Sequence, residues 1–355
     1  MSGRRDMSQK GIALMLVLGL LVVIALFMTS ISYRHQLAKS RDESALRQDQ
    51  TLLLALSAES WARQMLRDDA ASNRTDSWED LWAQPIPPLP VEGGTLTGCL
   101  RDLQARFNLN SLAGYNAERW EEASVSLYAS ELDTFLNLLA LLELDSSELR
   151  AALLVDWMDA DQELLVGGSA EDPDYLFEEP QRLAANQPLV AVEELAAVRG
   201  FDEGDVFRLR PYVTALPAGN GININTAAPE LLMALSPNLD PFLVESVLAE
   251  RPFDNLDSFY QFVAEGTGFL SEAEFREQLP QELVSVSSQY FELLARVDLG
   301  GQSVNMRSLI YRAGGQQTDV FLREFQVRPS VNSSDEQVIV SSFDCSLPEW
   351  LIDEN

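Results

Sequence analysis

Histidine is almost absent from this chain. Its 355 residues include one, His35, close to an N-terminal apolar run. That scarcity closes most imidazole chemistry, because Ser-His-Asp, Cys-His and His-rich zinc sites each need a histidine placed in the folded body. Cysteine is nearly as scarce: Cys99 and Cys345, neither with a CxxC partner, so a cysteine metal site and thioredoxin-like chemistry have no support. In an oxidising compartment the two could join in one disulfide closing a very long loop; the other reading is two buried thiols. Positive charge is also in short supply, with 25 Lys+Arg against 55 Asp+Glu and a formal net charge of −30. Such a surface repels phosphate backbones and anionic lipid heads, and suits an exported body that binds cations. The sequence also lacks a Gly-rich phosphate loop, a G-x-S-x-G elbow and an HExxH pair, and no two carboxylates are spaced so as to single them out for hydrolysis.

What is present begins at the N-terminus. Arg4, Arg5 and Lys10 stand before IALMLVLGLLVVIALFMTSI, residues 12–31, a run without charge. Twenty residues at about 1.5 Å rise span roughly the hydrocarbon core of a bilayer. The basic flank precedes the run, so the N-terminus is expected on the cytoplasmic side and the body outside. The run is too long for a cleaved signal peptide, and TSISYRHQLAKS lacks an Ala-x-Ala-like site. Residues 33–68 contain neither Pro nor Gly, and Leu46, Leu53, Leu56, Ala58 and Trp61 are spaced to line one helical stripe. The apolar helix is therefore expected to continue as an amphipathic stem.

Residues 68–94 are turn-rich, and PIPPLP at 85–90 suits an extended linker. Residues 95–109 read as strand. From about 119 to 287 the pattern is helical: residues 132–142, 149–158, 192–198, 205–209, 230–235, 242–250 and 256–263 are short helices separated by Pro, Gly or acidic loops. After about 288 the period becomes two. Three runs separated by DLGGQS and AGGQQT read as an antiparallel sheet, and residues 341–345 as a final edge strand. The fold class is thus α+β, with a large helical block between two strand regions.

The sharpest chemical cluster is DWMDADQE followed by GGSAEDPDY. Seven carboxylates fall within residues 156–174, with a Gly pair between them. Asp156 and Asp159 share a helix face. A hard divalent cation with oxygen ligands would relieve the repulsion, and calcium is the natural candidate in an exported protein. An EF-hand does not fit, since a loop opened at Asp159 would put Leu164 at the sixth position and Ala170 at the twelfth. The plain alternative is a solvated acidic loop.

A second motif, ININTAAPELL at 222–232, is similar to the opening of helix-hairpin-helix modules, with VEELAAVRGF at 192–201 as a degenerate copy. Modules of this kind often bind DNA through a Gly-rich hairpin whose N–H groups meet phosphate. Here the hairpin is Ser236-Pro237-Asn238-Leu239-Asp240, with no Gly and a terminal carboxylate. The expectation is structural packing and no nucleic acid.

Lys10-Gly11-Ile12 resembles a prepilin peptidase site. In the pilin-like families the cut follows the Gly, the apolar run remains, and the new first residue, here Ile12, is N-methylated. Most members carry Glu at the fifth mature position; here Leu16 stands there. Together with DWMDAD, RLAANQPL at 182–189, RPYVT at 210–214 and ININTA, this resembles the K-type minor pseudopilins of type II secretion systems. The resemblance implies a pilin-like long helix packed on an antiparallel sheet, with a large inserted all-α domain containing helix-hairpin-helix-like units. The expected parts are a leader at 1–11, a transmembrane segment at 12–31, a periplasmic stem at 32–70, a linker with first strands at 71–118, the insertion at 119–287, further strands at 288–345 and a tail at 346–355.

The same resemblance implies calcium bound in the inserted domain. Asp159, Asp161, Glu171 and Asp172 are the expected ligands, with Asp156 behind them. It also implies I-type and J-type minor pseudopilins, the prepilin peptidase and the inner-membrane secretion platform as partners. It implies a single pass through the bacterial inner membrane, a place at the filament tip where assembly starts, and no catalysis. Two other readings are a membrane-anchored helix-hairpin-helix protein of a competence-type DNA system, and a tethered calcium-dependent enzyme for which no catalytic group can be named.

Overall fold

The computed structural model describes residues 6–84, 86–126, 128–217, 219–314, 317–329 and 345. The expected leader residues 1–5, the final strand at 341–344 and the tail lie outside them. The chain opens with one unbroken helix, α1 (Asp6–Ser72). Its side chains from Leu14 to Ile31 are solvent-exposed in the isolated chain, and the segment is long and apolar enough to cross a membrane.

Two short strands follow, β1 (Leu89–Val91) and β2 (Gly94–Asp102), and the chain then leaves the sheet. The inserted region holds β3 (Phe107–Asn108), α2 (Ala117–Val125), α3 (Glu131–Leu141), α4 (Glu148–Met158), α5 (Asp172–Tyr175), α6 (Glu203–Leu209), β4 (Val213–Thr214) and β5 (Ile222–Asn223). It continues with α7 (Pro229–Leu235), α8 (Pro241–Glu250), α9 (Leu256–Thr267), α10 (Glu272–Gln278) and β6 (Val284–Ser285). The chain returns through β7 (Tyr290–Leu299), β8 (Gln302–Ala313) and β9 (Gln317–Pro329). Helix starts follow local chemistry. Ser130 with Asp133 and Ser271 with Glu274 form capping boxes at α3 and α10, while Asn255 and Asp240 cap α9 and α8.

The main sheet has the order β1-β2-β7-β8-β9, antiparallel throughout. The β7–β8 turn needs Gly300 and Gly301, both at positive φ, as a two-residue hairpin with the twist of its strands requires. Helix α1 lies on one face. Ala55, Ala58, Ala62 and Leu66 pack against Leu100, Phe291, Leu293, Ala295, Val297, Met306 and Ile310.

This corrects part of the expected stripe. Ala58 is buried and Leu56 packs against the same core, but Leu46, Leu53 and Trp61 are exposed, and Thr51, Ala55 and Ala62 are buried instead. Small side chains let a helix approach a sheet that itself presents bulky residues, which leaves Leu46 and Leu53 outside. The expected linker is also more structured than its composition suggests. Trp82 is fully buried edge-on against Phe291 at 5.1 Å, and Leu89 and Pro90 of PIPPLP already pair in β1.

The inserted region has its own large core, and that core begins earlier than residue 119. Phe107, Leu109, Leu112 and Tyr115 belong to it, so the strand expected over 95–109 ends at Asp102. The region is also built twice on one plan. β3 pairs in parallel with β4, Phe107 against Val213; β5 pairs in parallel with β6, Ile222 against Val284. Each half opens on an Asn-x-Asn. Asn110 exchanges hydrogen bonds with the Leu189 backbone, both at 2.8 Å. Asn225 does the same with Phe253, at 3.0 and 2.8 Å. Each anchor precedes a helical segment, a Gly-Phe pair (Gly200-Phe201, Gly268-Phe269), a capped helix and the returning strand. The halves differ in length between Asn and anchor, with separations of 79 and 28 residues. The longer one carries α4, α5 and the acidic loop.

Candidate functional site

Helix α4 is buried along most of its length because it runs through the middle of the inserted core. Asp156 therefore has no exposed surface, although it is a carboxylate. At the helix end the Asp159 N–H still bonds to the Val155 carbonyl, which turns its side chain back toward Asp156. Glu171 occupies the position just before α5 without using its carboxylate as a cap, and its own N–H donates to Asp174. Three carboxylates thus meet: Asp156, Asp159 and Glu171 each offer an oxygen, all within 4.8 Å of one another. Trp157 and Tyr175 pack edge to face at 4.9 Å beside them.

The electrostatics are one-sided. Both oxygens of Glu171 and Oδ1 of Asp159 are buried without a hydrogen-bond partner. Burial, then the charges of Asp159, Asp156, Asp161 and Asp172, push Glu171 up to about 8. Burial, then Asp161 and Asp156, push Asp159 up to about 6. Burial also raises Asp156, while hydrogen bonds from Ser169 and the Leu165 N–H hold it back. Unpaired buried carboxylate oxygens are costly. A hard divalent cation fits this donor set, since it takes several oxygens at once.

Of the expected ligands, Asp159 and Glu171 are in the trio. Asp161 is close enough to raise both, while its Oδ1 accepts from the Glu163 N–H at 2.8 Å. Asp172 points one oxygen at the Ala184 N–H, 2.9 Å away. Asp156, expected behind the ligands, is itself a member of the trio, because helix geometry carries it to the same spot as Asp159. Sequence reasoning missed Asn186. Its N–H donates to the Trp157 carbonyl at 3.0 Å, and its Oδ1 is buried and unpartnered. The signal was Asn186 itself, an amide oxygen within RLAANQPL.

The ININTA motif has a different task. Asn223 Nδ2 donates to the Asp76 carbonyl at 3.0 Å, to Asp102 at 3.0 Å and to Ser288 Oγ at 2.9 Å. Thr226 and Ser288 hydroxyls each donate to Asp102 at 2.6 Å. The motif ties the inserted domain to the end of β2, the start of β7 and the turn after α1. Arg312 completes the knot, donating to Asp69 at 3.0 Å, to Asp76 and to the Ser288 carbonyl at 2.7 Å. A second acidic trio, Asp69, Asp76 and Asp80, lies here, and the Arg312 guanidinium supplies its positive charge. In the nearby hairpin Asp240 caps α8, accepting from the Leu243 N–H at 2.8 Å. A carboxylate stands at the helix start where a DNA-binding hairpin would offer N–H groups to phosphate, so that reading loses its site.

The cysteines are joined: Cys99 and Cys345 form a disulfide, with Cα atoms 5.6 Å apart and a separation of 246 positions in sequence.

Comparison with known proteins gives one consistent result. Two family models described as "Type II secretion system (T2SS), protein K" match residues 105–218 and 222–292, one on each half of the inserted domain. The chain is 31% identical to type II secretion system protein K of Pectobacterium carotovorum subsp. carotovorum, over 91% of its own length and 98% of that protein. It is 29% identical to the protein of the same name from Pseudomonas aeruginosa, over 89% of this chain and 92% of that protein. A solved chain in a structure described as the GspK-GspI-GspJ complex from enterotoxigenic Escherichia coli superposes with a TM-score of 0.68 at 29% identity. The match covers 81% of this chain and 99% of that one.

Proposed function

This chain belongs to the type II secretion system protein K family and is a minor pseudopilin of that system, and we propose that it stands at the tip of the pseudopilus. In this role it joins I-type and J-type minor pseudopilins, starts the filament and blocks addition beyond itself. The observation that carries the reading is the end-to-end likeness to protein K relatives, one of them solved within a GspK-GspI-GspJ complex.

The tip position has support in the sequence. A buried acid at the fifth mature position would need a partner amine in the bilayer; Leu16 needs none. The apolar segment of α1 with its basic flank supports a single pass through the inner membrane, N-terminus cytoplasmic and body periplasmic. Prepilin peptidase cuts after Gly11, Ile12 becomes the methylated first residue, and the inner-membrane platform receives the stem. Calcium occupies the Asp156–Asp159–Glu171 cluster, with Asp161 and Asp172 at its margin, and braces the longer half of the inserted domain. The role is structural rather than catalytic.

The test is to co-express the full chain with its I-type and J-type partners, purify the assembly and weigh the mature N-terminus by mass spectrometry. A ternary complex containing a chain that begins with methyl-Ile12 is expected. A chain beginning at Met1 or after residue 31, or one that associates with neither partner, overturns the reading.

A further inference from the structure

The stem and the sheet do not close completely along one side. Strand β1 pairs with β2 only from Gly94 to Leu96, so from Thr97 onward no described strand lies on that side of β2. Between this open edge and α1 runs an apolar groove walled by Trp61, Met65, Ile86, Leu89 and Leu96, and Gly98 adds no side chain to its floor. Trp61 and Leu89 are 46% and 36% exposed, although both stand in its wall. Large apolar side chains left open along one concave surface mark a contact site.

The disulfide fixes which segment of the chain begins beside it. Cys99 borders the groove. Leu96 and Leu100 pack toward the stem, so the alternation of β2 turns the Cys99 side chain to the opposite face. Cys345, bonded to it, stands on that face next to the open edge. The sequence after it is SLPEWLIDEN, residues 346–355, in which Leu347, Trp350, Leu351 and Ile352 are apolar. Trp350 lies five positions beyond Cys345, a reach of about 17 Å in extended chain. Packed layers are about 10 Å apart, so that reach suffices to round the edge of one strand.

We propose that residues 346–355 pass over the open edge of β2 and seat Trp350 and Ile352 in the groove between α1 and β2. In an extended segment these two side chains share one side, and Glu349 and Asp353 fall on the other, toward water. The occupant is the chain's own end because the tether holds it beside the groove at an effective concentration on the order of mM, which a free partner has to outcompete. The groove is distinct from the cation cluster, and its occupation does not depend on the place of this chain in a filament.

The test places the photo-crosslinker p-benzoylphenylalanine at position 350 of the full chain in detergent. Irradiated protein is digested, and the crosslinks are located by mass spectrometry. They should fall within one chain, on residues 58–65 of α1 and on residues 86–96. Leu89→Glu puts a charge in the groove wall and should lower that yield by about tenfold or more. Leu81→Glu, at a position 73% exposed and outside the groove, should leave it unchanged. Circular dichroism melts separate loss of the groove from loss of the fold; should Leu89→Glu not fold, Trp61→Glu decides. The proposal is overturned if the crosslinks miss both groove walls, or if Leu89→Glu and Leu81→Glu act alike. It is also overturned if the products are crosslinked dimers, which would give the groove to a second copy.

Discussion

Arg323 on the last strand grips Glu59 on the stem with two hydrogen bonds, 2.7 Å from Nε and 2.6 Å from Nη2. Ser308 adds a third at 2.7 Å. Burial alone would raise the Glu59 carboxyl. The hydrogen bonds from Arg323 and Ser308, with the charges of Arg323 and Arg63, outweigh it and hold the group below its ordinary value. A depressed carboxylate contributes stability that is present above its unfolded pKa, about 4.3, and is lost as pH falls through the folded value. Glu59→Gln should therefore lower stability by about 1–3 kcal/mol at neutral pH. The gap to wild type should close below about pH 4, as melts at a series of pH values would show.

At the knot between stem and inserted domain the sign is reversed. Burial pushes Asp76 up to about 7 against the attraction of Arg312 and the Ser288 N–H. A raised carboxyl binds its proton more tightly in the folded chain, so its contribution is full below about pH 4 and is lost as pH rises through 7. Asp76→Asn should flatten the decline in melting temperature between pH 5 and pH 8.

Arg312→Met should be the most damaging single change at the same knot. It strips Asp69 and Asp76 of their buried counter-charge, and breaking such a pair costs about 3–5 kcal/mol. The triple variant with Asp69→Asn and Asp76→Asn should regain part of that loss in urea unfolding.

Calcium should raise the melting temperature and chelator should lower it. At free calcium near a hundred times the dissociation constant, the linkage is worth about 2.7 kcal/mol. Asp156→Asn and Glu171→Gln should abolish the shift, while Asp161→Asn and Asp172→Asn should only reduce it. A full loss with Asp172→Asn and none with Asp156→Asn would invert the assignment made from the geometry.

Reduction of the disulfide should destabilise the chain. A closed loop of 246 residues is long, and the chain-entropy account puts such a link at about 2–5 kcal/mol. Cys345→Ser melts with and without reductant would measure it. Reductant should lower the wild-type midpoint and leave the variant unmoved.

The features legible in the sequence were local ones. A charge-free run, a Pro-free stem, period-two strands with Gly-Gly turns and a dense acidic loop all declare themselves within a few residues. What stayed hidden depends on contacts far apart in sequence. Leu46 and Leu53 look like a buried stripe until the sheet selects alanines instead. Phe107 reads as part of a sheet strand until Val213 claims it for the inserted core. Asp156 and Asp159 share a helix face in the letters, but the trio is completed only when the chain before α5 brings Glu171 back to them. The doubled Asn-x-Asn was visible in the letters, yet its meaning lay in backbone partners 79 and 28 residues away.

The inserted domain leaves β2 at Asp102 and returns into β7 opposite it, at Phe291. In mechanical terms both attachments load the same end of two paired strands. A force pulling the domain from the stem would unzip the ladder one rung at a time, which is the weak direction for a sheet. The Asp102–Asn223–Ser288 knot sits at the first rung, and Arg312 bonds from there to Asp69 in α1. Tension is thereby diverted into the helix before the first strand pair has to carry it.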